Sequence, residues 1–165
     1  MGQKVHPLGF RLGITQEHQS RWYAKRAMYP IFMVEDRFIR SYCQEKYAEA
    51  GLITIAISRQ VDHLHVNLEV ARPKVLVGSR GQDLEKVRQN LVRELLQFRQ
   101  KKWSAVQRAT TAELRLTLHV TKVENPNTSA TILAEDLAEQ LEKRIPFRRA
   151  MKTVLQRAER EKIPG

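Results

Sequence analysis

The sequence predicts an α+β fold in which helices cover one face of a three-stranded β-sheet. Two segments that alternate apolar and polar residues, 52–58 and 64–70, are separated by only five residues, a spacing typical of a β-hairpin. A third alternating segment follows at 113–121. Segments with a helical period come before, between and after these strands, which is the order of elements expected in an α+β domain.

The first 34 residues are predicted to form an extended basic arm, because prolines and glycines interrupt any regular period there. Basic residues such as Lys4 and Arg11 are interspersed with aromatic residues such as Phe10 and Trp22. Such a segment could neutralise phosphates and stack on bases, or it could simply pack over the folded domain. The sequence leaves both alternatives open.

A helix is predicted from Glu35 to about Glu49, with Glu35 and Asp36 in its first turn, where acidic residues favour the helix dipole. Gly51 is expected to end it. In the strand at 64–70 the apolar residues share one face and the polar residues share the other. The sheet is therefore expected to be antiparallel, with one face packed and one face in solvent.

The remaining elements are helical apart from the third strand. A short helix precedes Gly78, and a long helix follows from about residue 84 to residue 99. Two further helices are predicted from about Ser129 and from Pro146. Their apolar residues are expected to face inward, namely Leu133, Leu137, Leu141, Phe147, Ala150, Met151, Val154, Leu155 and Ala158.

The loop Gly78-Ser79-Arg80-Gly81, called the GxxG loop below, joins the short helix to the long one. It does not fit a nucleotide-triphosphate loop, which ends in Gly-Lys-Ser/Thr, because Gln82 follows Gly81. It does not fit a dinucleotide fingerprint either, because GxGxxG is absent and the glycines join two helices rather than a strand and a helix. A glycine pair between helices is often only a turn. Alternatively, the missing side chains let a nucleic-acid backbone approach the next helix N-terminus, as in the GXXG loop of a KH domain.

The charge distribution favours a polyanionic partner. Of the net charge of +11, residues 1–26 carry +4 and residues 142–165 carry +5, so the basic excess lies at the two ends. No apolar run approaches the roughly 18 residues of a membrane span, which predicts a soluble protein. The single cysteine, Cys43, lies on an apolar helix face and is expected to be a buried thiol.

The sequence predicts no catalytic site, metal site or cofactor. His63 and His65 share one face of a strand at a spacing that could bind a metal, but no cysteine or acidic cluster accompanies them. We therefore expect histidines on an exposed sheet face. No pairing of nucleophile, base and orienting residue is visible, so we do not expect an enzyme.

Three segments carry a resemblance to a known family: MGQKVHPLGFRLGI at 1–14, ARPKVLVGSRGQDLEKVR at 71–88 and LEKRIPFRRAMKTVLQRA at 141–158. In order and spacing they resemble the bacterial and organellar form of the small-subunit ribosomal protein three family. QEHQSRWYA at 16–24 is most similar to its cyanobacterial and plastid branch. The resemblance covers essentially the whole chain.

This resemblance implies a type II KH domain at 35–122, preceded by the basic arm at 1–34. Residues 123–165 would be a helical pair that begins a second domain, whose sheet-containing remainder is absent from this sequence. One departure from the family is Lys74, which stands where a glycine is usual.

The resemblance also implies a function. It places the chain in the head of the small ribosomal subunit, in a plastid stroma or bacterial cytoplasm, bound to small-subunit rRNA and to neighbouring head proteins. In the family's FRRAMK motif, basic residues face mRNA at the entrance of its channel and help to open structured messages. Here these residues are Arg148, Arg149 and Lys152.

The residues expected to bind RNA are thus the GxxG loop, Lys4 and Arg11 of the arm, and the three basic residues of the FRRAMK motif. A free-standing KH module that regulates or chaperones RNA is the main alternative function. It would share the fold without needing the arm or the FRRAMK helix. An RNA-modifying or nucleotide-using enzyme is a third hypothesis, against which the missing catalytic site argues.

Overall fold

The computed structural model describes residues 2–60, 63–78, 82–103 and 115–161. The helices and strands, in chain order, are α1 (Pro7–Arg11), β1 (Ser20–Arg21), α2 (Tyr29–Lys46), β2 (Leu52–Gln60), β3 (His63–Val70), α3 (Pro73–Val77), α4 (Gln82–Lys102), β4 (Arg115–Lys122), α5 (Ala130–Glu142) and α6 (Phe147–Arg160). Short 3₁₀ turns lie at Ala48–Ala50 and Pro126–Thr128. In the described part of the chain, no helix has the length and apolar character needed to cross a bilayer.

The sheet has the strand order β1-β2-β3-β4. The hairpin of β2 and β3 is antiparallel, as predicted, but β4 pairs parallel to β3, so the expectation of an antiparallel sheet was wrong. The physical reason is the connection: α3 and α4 form a crossover that brings the chain back to the same end of the sheet. A fourth strand, β1, comes from the arm and pairs parallel to β2. Its two residues are too few to show an alternating pattern.

Helix α2 begins at Tyr29, six residues earlier than predicted, within the segment assigned to the arm. Pro30 occupies the first turn of α2, where its fixed φ and missing N–H are tolerated, rather than interrupting the chain. Glu35 and Asp36 therefore lie inside the helix and are buried, so their predicted place in a first turn was also wrong. The helix ends at Lys46, and Gly51, at φ 65°, closes the 3₁₀ turn that follows.

The core lies between one face of the sheet and helices α2, α3 and α4. Its most buried side chains are Ile39, Cys43, Ile57, Leu64, Val66, Leu68, Val70, Leu76, Leu91 and Leu95. Cys43 is only 1% exposed, which confirms the buried thiol. Burial raises the pKa of its thiol to about 12, although the nearby Arg40 guanidinium opposes the shift. The protonated thiol packs as a small apolar side chain.

The C-terminal helices α5 and α6 bury less surface than the sequence predicts. Ile132 and Ala150 are buried, at 6% and 0% exposure. By contrast, Phe147, Met151 and Leu155 are 50–59% exposed, so the expectation that they face inward was wrong. Leu141 of α5 is likewise 45% exposed, whereas Leu133 and Leu137 are half-buried. The helical period identifies an apolar stripe but does not say what covers it.

Candidate nucleic-acid interface

Three basic side chains project from the first half of α6. Arg148, Arg149 and Lys152 lie within about one turn of the helix and are all exposed. The Arg148 guanidinium lies 5.8 Å from the centroid of the Phe147 ring, a cation–π distance. No carboxylate in the described ranges pairs with any of the three. Their charges are thus directed to solvent and accessible to a polyanion.

The orientation of α6 is fixed on its opposite side. Ala150 is fully buried at the contact between α6 and the rest of the chain. Arg157 of α6 pairs with Asp136 of α5 at 2.9 Å, and Arg72, which precedes α3, lies 3.8 Å from the same carboxylate. Asp136 therefore connects the helical pair to the sheet domain. Such partly exposed ion pairs contribute little to the free energy of folding, but they restrict the orientation of α6.

Of the GxxG loop, the structure describes only Gly78; Ser79, Arg80 and Gly81 lie outside the described residues. Gly78 ends α3 with φ 68° and ψ −173°, a backbone conformation that side chains disfavour. A Cβ atom added there would lie 2.0 Å from Oδ2 of Asp83. The positive φ therefore favours glycine at residue 78, and any larger residue would also require the side chain of Asp83 to move.

The helix N-terminus after the loop already carries negative charge. Asp83 and Glu85 lie in the first turn of α4, where Lys86 pairs with Asp83 at 2.8 Å. Hydrogen bonds from Arg88 and Gln89 lower the pKa of the Glu85 carboxyl to about 2, so it is ionised at neutral pH. A phosphate that approached this end of α4 would meet two carboxylates, each partly neutralised by its own basic neighbour.

The arm has two parts, and only the second packs over the domain, which is one of the two alternatives left open by the sequence. Residues 2–19 are all exposed, including Lys4 and Arg11, and α1 has no buried residue. Apolar side chains of this part also face solvent, with Phe10 72% and Ile14 82% exposed. This first part is free to contact a partner.

The second part of the arm is docked on the domain. Beside β1, Arg40 of α2 donates hydrogen bonds to the carbonyl oxygen of Gln19 at 3.0 Å and to the hydroxyl of Ser20 at 2.8 Å. The same guanidinium donates to the carbonyl oxygen of Ile55 in β2. One side chain thus joins the arm, α2 and the sheet.

A buried ion cluster lies next to this junction, formed by Glu35, Asp36, Arg59 and Arg99. Arg59 contacts Glu35 at 2.8 Å and Asp36 at 2.6 Å, while Arg99 donates to Glu35 at 2.7 Å. All four side chains are at most 8% exposed. Trp22 of the arm donates from Nε1 to Asp36 at 2.8 Å, which connects the arm to the cluster.

Sequence reasoning missed this cluster and the anchors Trp22 and Arg40. A signal for it existed, because Arg59 continues the inward positions of β2 after Ile55 and Ile57, where a charge needs a buried partner. The identity of that partner was not visible in the local pattern.

The open face of the sheet carries the histidines expected there. The rings of His63 and His65 stack at 6.0 Å with 15° between their planes, and His119 projects from the same face of β4. Across the part of the chain that the structure describes, no three His, Cys, Asp or Glu side chains converge as they would around a metal ion.

Comparison with known proteins agrees with this architecture. The KH-domain family model matches residues 39–128. The small ribosomal subunit protein uS3 of Synechococcus sp. strain JA-2-3B'a(2-13) is 43% identical over the whole chain, which covers 63% of that protein. The corresponding protein of Prochlorococcus marinus strain MIT 9303 is 41% identical, with 62% of its length covered. The uS3c protein of Ostreococcus tauri is 40% identical, with 71% covered.

The fold and the matched residues define the class first: this is a KH-domain protein, and the predicted α+β, type II KH fold is confirmed. The similarity over the full chain then defines the family within that class. The chain belongs to the uS3 family of small ribosomal subunit proteins, with relatives in cyanobacteria and plastids as the resemblance implied. It spans a little under two thirds of the length of the cyanobacterial relatives named above.

Proposed function

We propose that this chain is a structural component of the small ribosomal subunit that binds small-subunit rRNA, in a bacterial cytoplasm or a plastid. The observation that carries the proposal is the 40–43% identity over the whole chain to proteins named as uS3. That similarity includes the arm and the C-terminal helices as well as the KH domain. No enzymatic activity belongs to this proposal.

Charge and exposure support RNA as the partner. The exposed part of the arm, residues 2–19, combines Lys4 and Arg11 with exposed apolar side chains. Basic side chains bind RNA largely through its phosphates, and the exposed aromatic ring of Phe10 can stack on an unpaired base. The docked second part of the arm holds this segment close to the KH domain, so both can contact the same RNA.

A finer part of the proposal concerns mRNA. Arg148, Arg149 and Lys152 form an exposed basic surface with no acidic partner among the described residues, on a helix held from its other side. A surface that binds phosphates of a single strand better than those of a duplex shifts the equilibrium toward the open strand. This is how α6 would help a structured message to enter the subunit. Contacts with neighbouring head proteins complete the proposed setting.

The GxxG loop remains a candidate RNA contact. Its proposed role is limited by Asp83 and Glu85 at the same helix end, which repel phosphates unless Lys86 and Arg88 compensate. We therefore assign the main affinity for rRNA to the arm and the contact with mRNA to α6.

Cosedimentation tests the proposal against a free-standing KH regulator. The tagged chain, produced in a cyanobacterial or plastid host, should remain with small ribosomal subunits through a high-salt wash. A regulator or chaperone that visits the ribosome through electrostatic contacts would leave at moderate salt, because such binding falls steeply with salt concentration. Complete loss at moderate salt would contradict a structural role.

A further inference from the structure

A cavity of about 230 Å³ lies on the open face of the sheet, beneath the arm. The side chains that matter most to its chemistry are His18, Arg21, Ser58, His65, Thr117 and His119. We call it the sheet-face cavity. It is separate from the GxxG loop and from the basic residues of α6, which do not line it.

The sheet register explains how these side chains meet. Ser58, His65 and Thr117 are direct neighbours across β2, β3 and β4. In the next row on the same face, Asn67 is the neighbour of His119. Because side chains alternate along each strand, both rows point away from the core. The arm covers one side of them, since Arg21 of β1 pairs with Ser58.

The chemistry of this face is that of a polar surface with aromatic rings. Between residues 54 and 60, 63 and 69, and 115 and 121, the outward positions carry no aliphatic side chain larger than alanine. Protein interfaces bury apolar and aromatic anchors at their centre, so this face is a poor match for another protein. Hydroxyls, an amide and imidazoles can instead hydrogen-bond to base edges and ribose hydroxyls, while imidazole rings stack on bases.

The charge of the cavity lining also favours RNA as the ligand. Among the described lining residues Glu17 is the only carboxylate, and it is held by Arg21 at 2.5 Å. The sheet itself contributes no acid to the lining. The arm contributes Glu17, His18 and Arg21 to the lining, so the guanidinium of Arg21 supplies a cation at the edge of the cavity for the phosphate of a bound nucleotide.

The volume of the sheet-face cavity limits the size of the ligand that it can hold. Pockets that enclose a drug-sized molecule begin at about 300 Å³, and the sheet-face cavity is smaller. It therefore fits a single base with its ribose rather than a larger group.

We propose that the sheet-face cavity is an RNA-binding site that holds one unpaired nucleotide, whose base stacks on His65 or His119. Ser58, Asn67 and Thr117 hydrogen-bond to its edges. The proposal depends on the proposed function only in that the chain meets RNA. It adds a further RNA contact to those proposed for the arm and α6, on the face of the sheet opposite the helices.

The first test is a titration of the full chain with a short, unstructured single-stranded RNA, followed by NMR of the histidine side chains. The imidazole resonances of His65 and His119 should move on binding, and more than those of His63. Unchanged resonances at His65 and His119 under saturating RNA would overturn the site, with no need of a variant.

The second test measures affinity for the same RNA by fluorescence anisotropy. The double variant His65→Thr/His119→Thr removes both rings while keeping residues that suit a strand, and it should bind about tenfold more weakly. His63→Thr is the matched control, because it lies on the same face of the same strand outside the cavity lining. It should stay within about twofold of the original chain. Equal losses in both variants, or none in the double variant, would contradict the site.

The α6 variant Arg148→Ala/Arg149→Ala/Lys152→Ala separates this proposal from the proposed function. If only the α6 variant loses affinity, the sheet-face cavity is not a site but the proposed function stands. If neither variant loses affinity, both the sheet-face site and the proposed mRNA contact of α6 fail.

A photo-crosslinking amino acid at residue 117, in place of Thr117, identifies the occupant in assembled small subunits. Crosslinks to RNA would support the proposal. Crosslinks to a neighbouring protein alone would show that the face is a protein interface and would overturn it.

Discussion

Gly78 is subject to two restraints at once, a positive φ and the close approach of Asp83. Gly78→Ala should lower the free energy of unfolding by about 1–2 kcal/mol from conformation alone, with a further loss from the clash. Urea unfolding measures the change. Gly9→Ala is the control, because a Cβ there would meet nothing within 4 Å, and it should be nearly neutral. Combining Gly78→Ala with Asp83→Ala should recover only the loss due to the clash. Full recovery would show that conformation does not matter.

Glu35 accepts hydrogen bonds from two arginines and is fully buried. Glu35→Gln removes its charge and leaves Arg59 and Arg99 undercompensated, which should cost about 3–5 kcal/mol of unfolding free energy. Glu45→Gln, an exposed change on the same helix, should stay within about 0.5 kcal/mol. Similar stabilities for the two variants in urea unfolding would show that solvent screens the buried ion cluster.

The buried ion cluster is a feature that local sequence patterns could not predict. Arg59 was predicted to lie in the hairpin turn, and although the alternation of β2 continues through it, Glu35 lies 24 residues from Arg59 and 64 residues from Arg99. No local period connects such distant positions. Likewise, the exposure of Arg148, Arg149 and Lys152 followed from their place off the apolar stripe of a helix, whereas the carboxylate of Asp83 beside Gly78 required coordinates.

At the scale of elements, β1 is held to the domain by few contacts, so it should respond to single changes without global unfolding. Trp22→Phe removes the hydrogen bond to Asp36 but keeps an aromatic ring against Phe32, at a cost of about 1 kcal/mol. Hydrogen exchange at Ser20 and Arg21 should accelerate, while exchange in β3 stays slow. Tyr23→Phe, at a side chain 91% exposed, is the control. Equal acceleration in both strands would mean that the arm unfolds only with the whole domain.

The two faces of α6 should respond differently to mutation. Met151→Ala and Leu155→Ala change side chains that are 50% and 58% exposed, and each should alter the unfolding free energy of this chain by less than about 0.5 kcal/mol. Ala150→Leu inserts volume where exposure is 0% and should cost about 1–3 kcal/mol. Thermal or urea unfolding of the three variants gives the comparison. A large loss at Leu155 would show that the stripe is packed in solution.

Most elements were predictable because their periodicity is local. The hairpin, α4 and the C-terminal helices begin and end within a few residues of their predicted positions. The start of α2 was not predictable from the sequence, since Pro30 fits the first turn of a helix as well as a loop. The parallel pairing of β4 with β3 depends on the path of the connection between them, and the sequence of the strand alone does not determine that path.

At the scale of the whole molecule, the KH domain at the centre positions two basic ends. The arm is anchored through Arg40 and Trp22, so its exposed residues 2–19 project from a fixed point. Helix α6 is oriented through Asp136 and presents its cations on the far side of that contact. The net charge of +11 was readable from the sequence, and the motifs sufficed to identify the family. The docking of the arm could not be predicted from the sequence, because it depends on side chains from separate elements.

We propose separate roles for the two ends of the chain: the arm and KH domain attach the chain to the subunit, and α6 acts on the message. The most direct measurement is the translation rate of structured and unstructured mRNAs by ribosomes that carry Arg148→Ala/Arg149→Ala/Lys152→Ala. Subunits should contain the variant at the normal level, unstructured messages should be translated at the normal rate, and structured messages severalfold more slowly. Equal slowing of both messages, or failure of the variant to enter subunits, would contradict the claim.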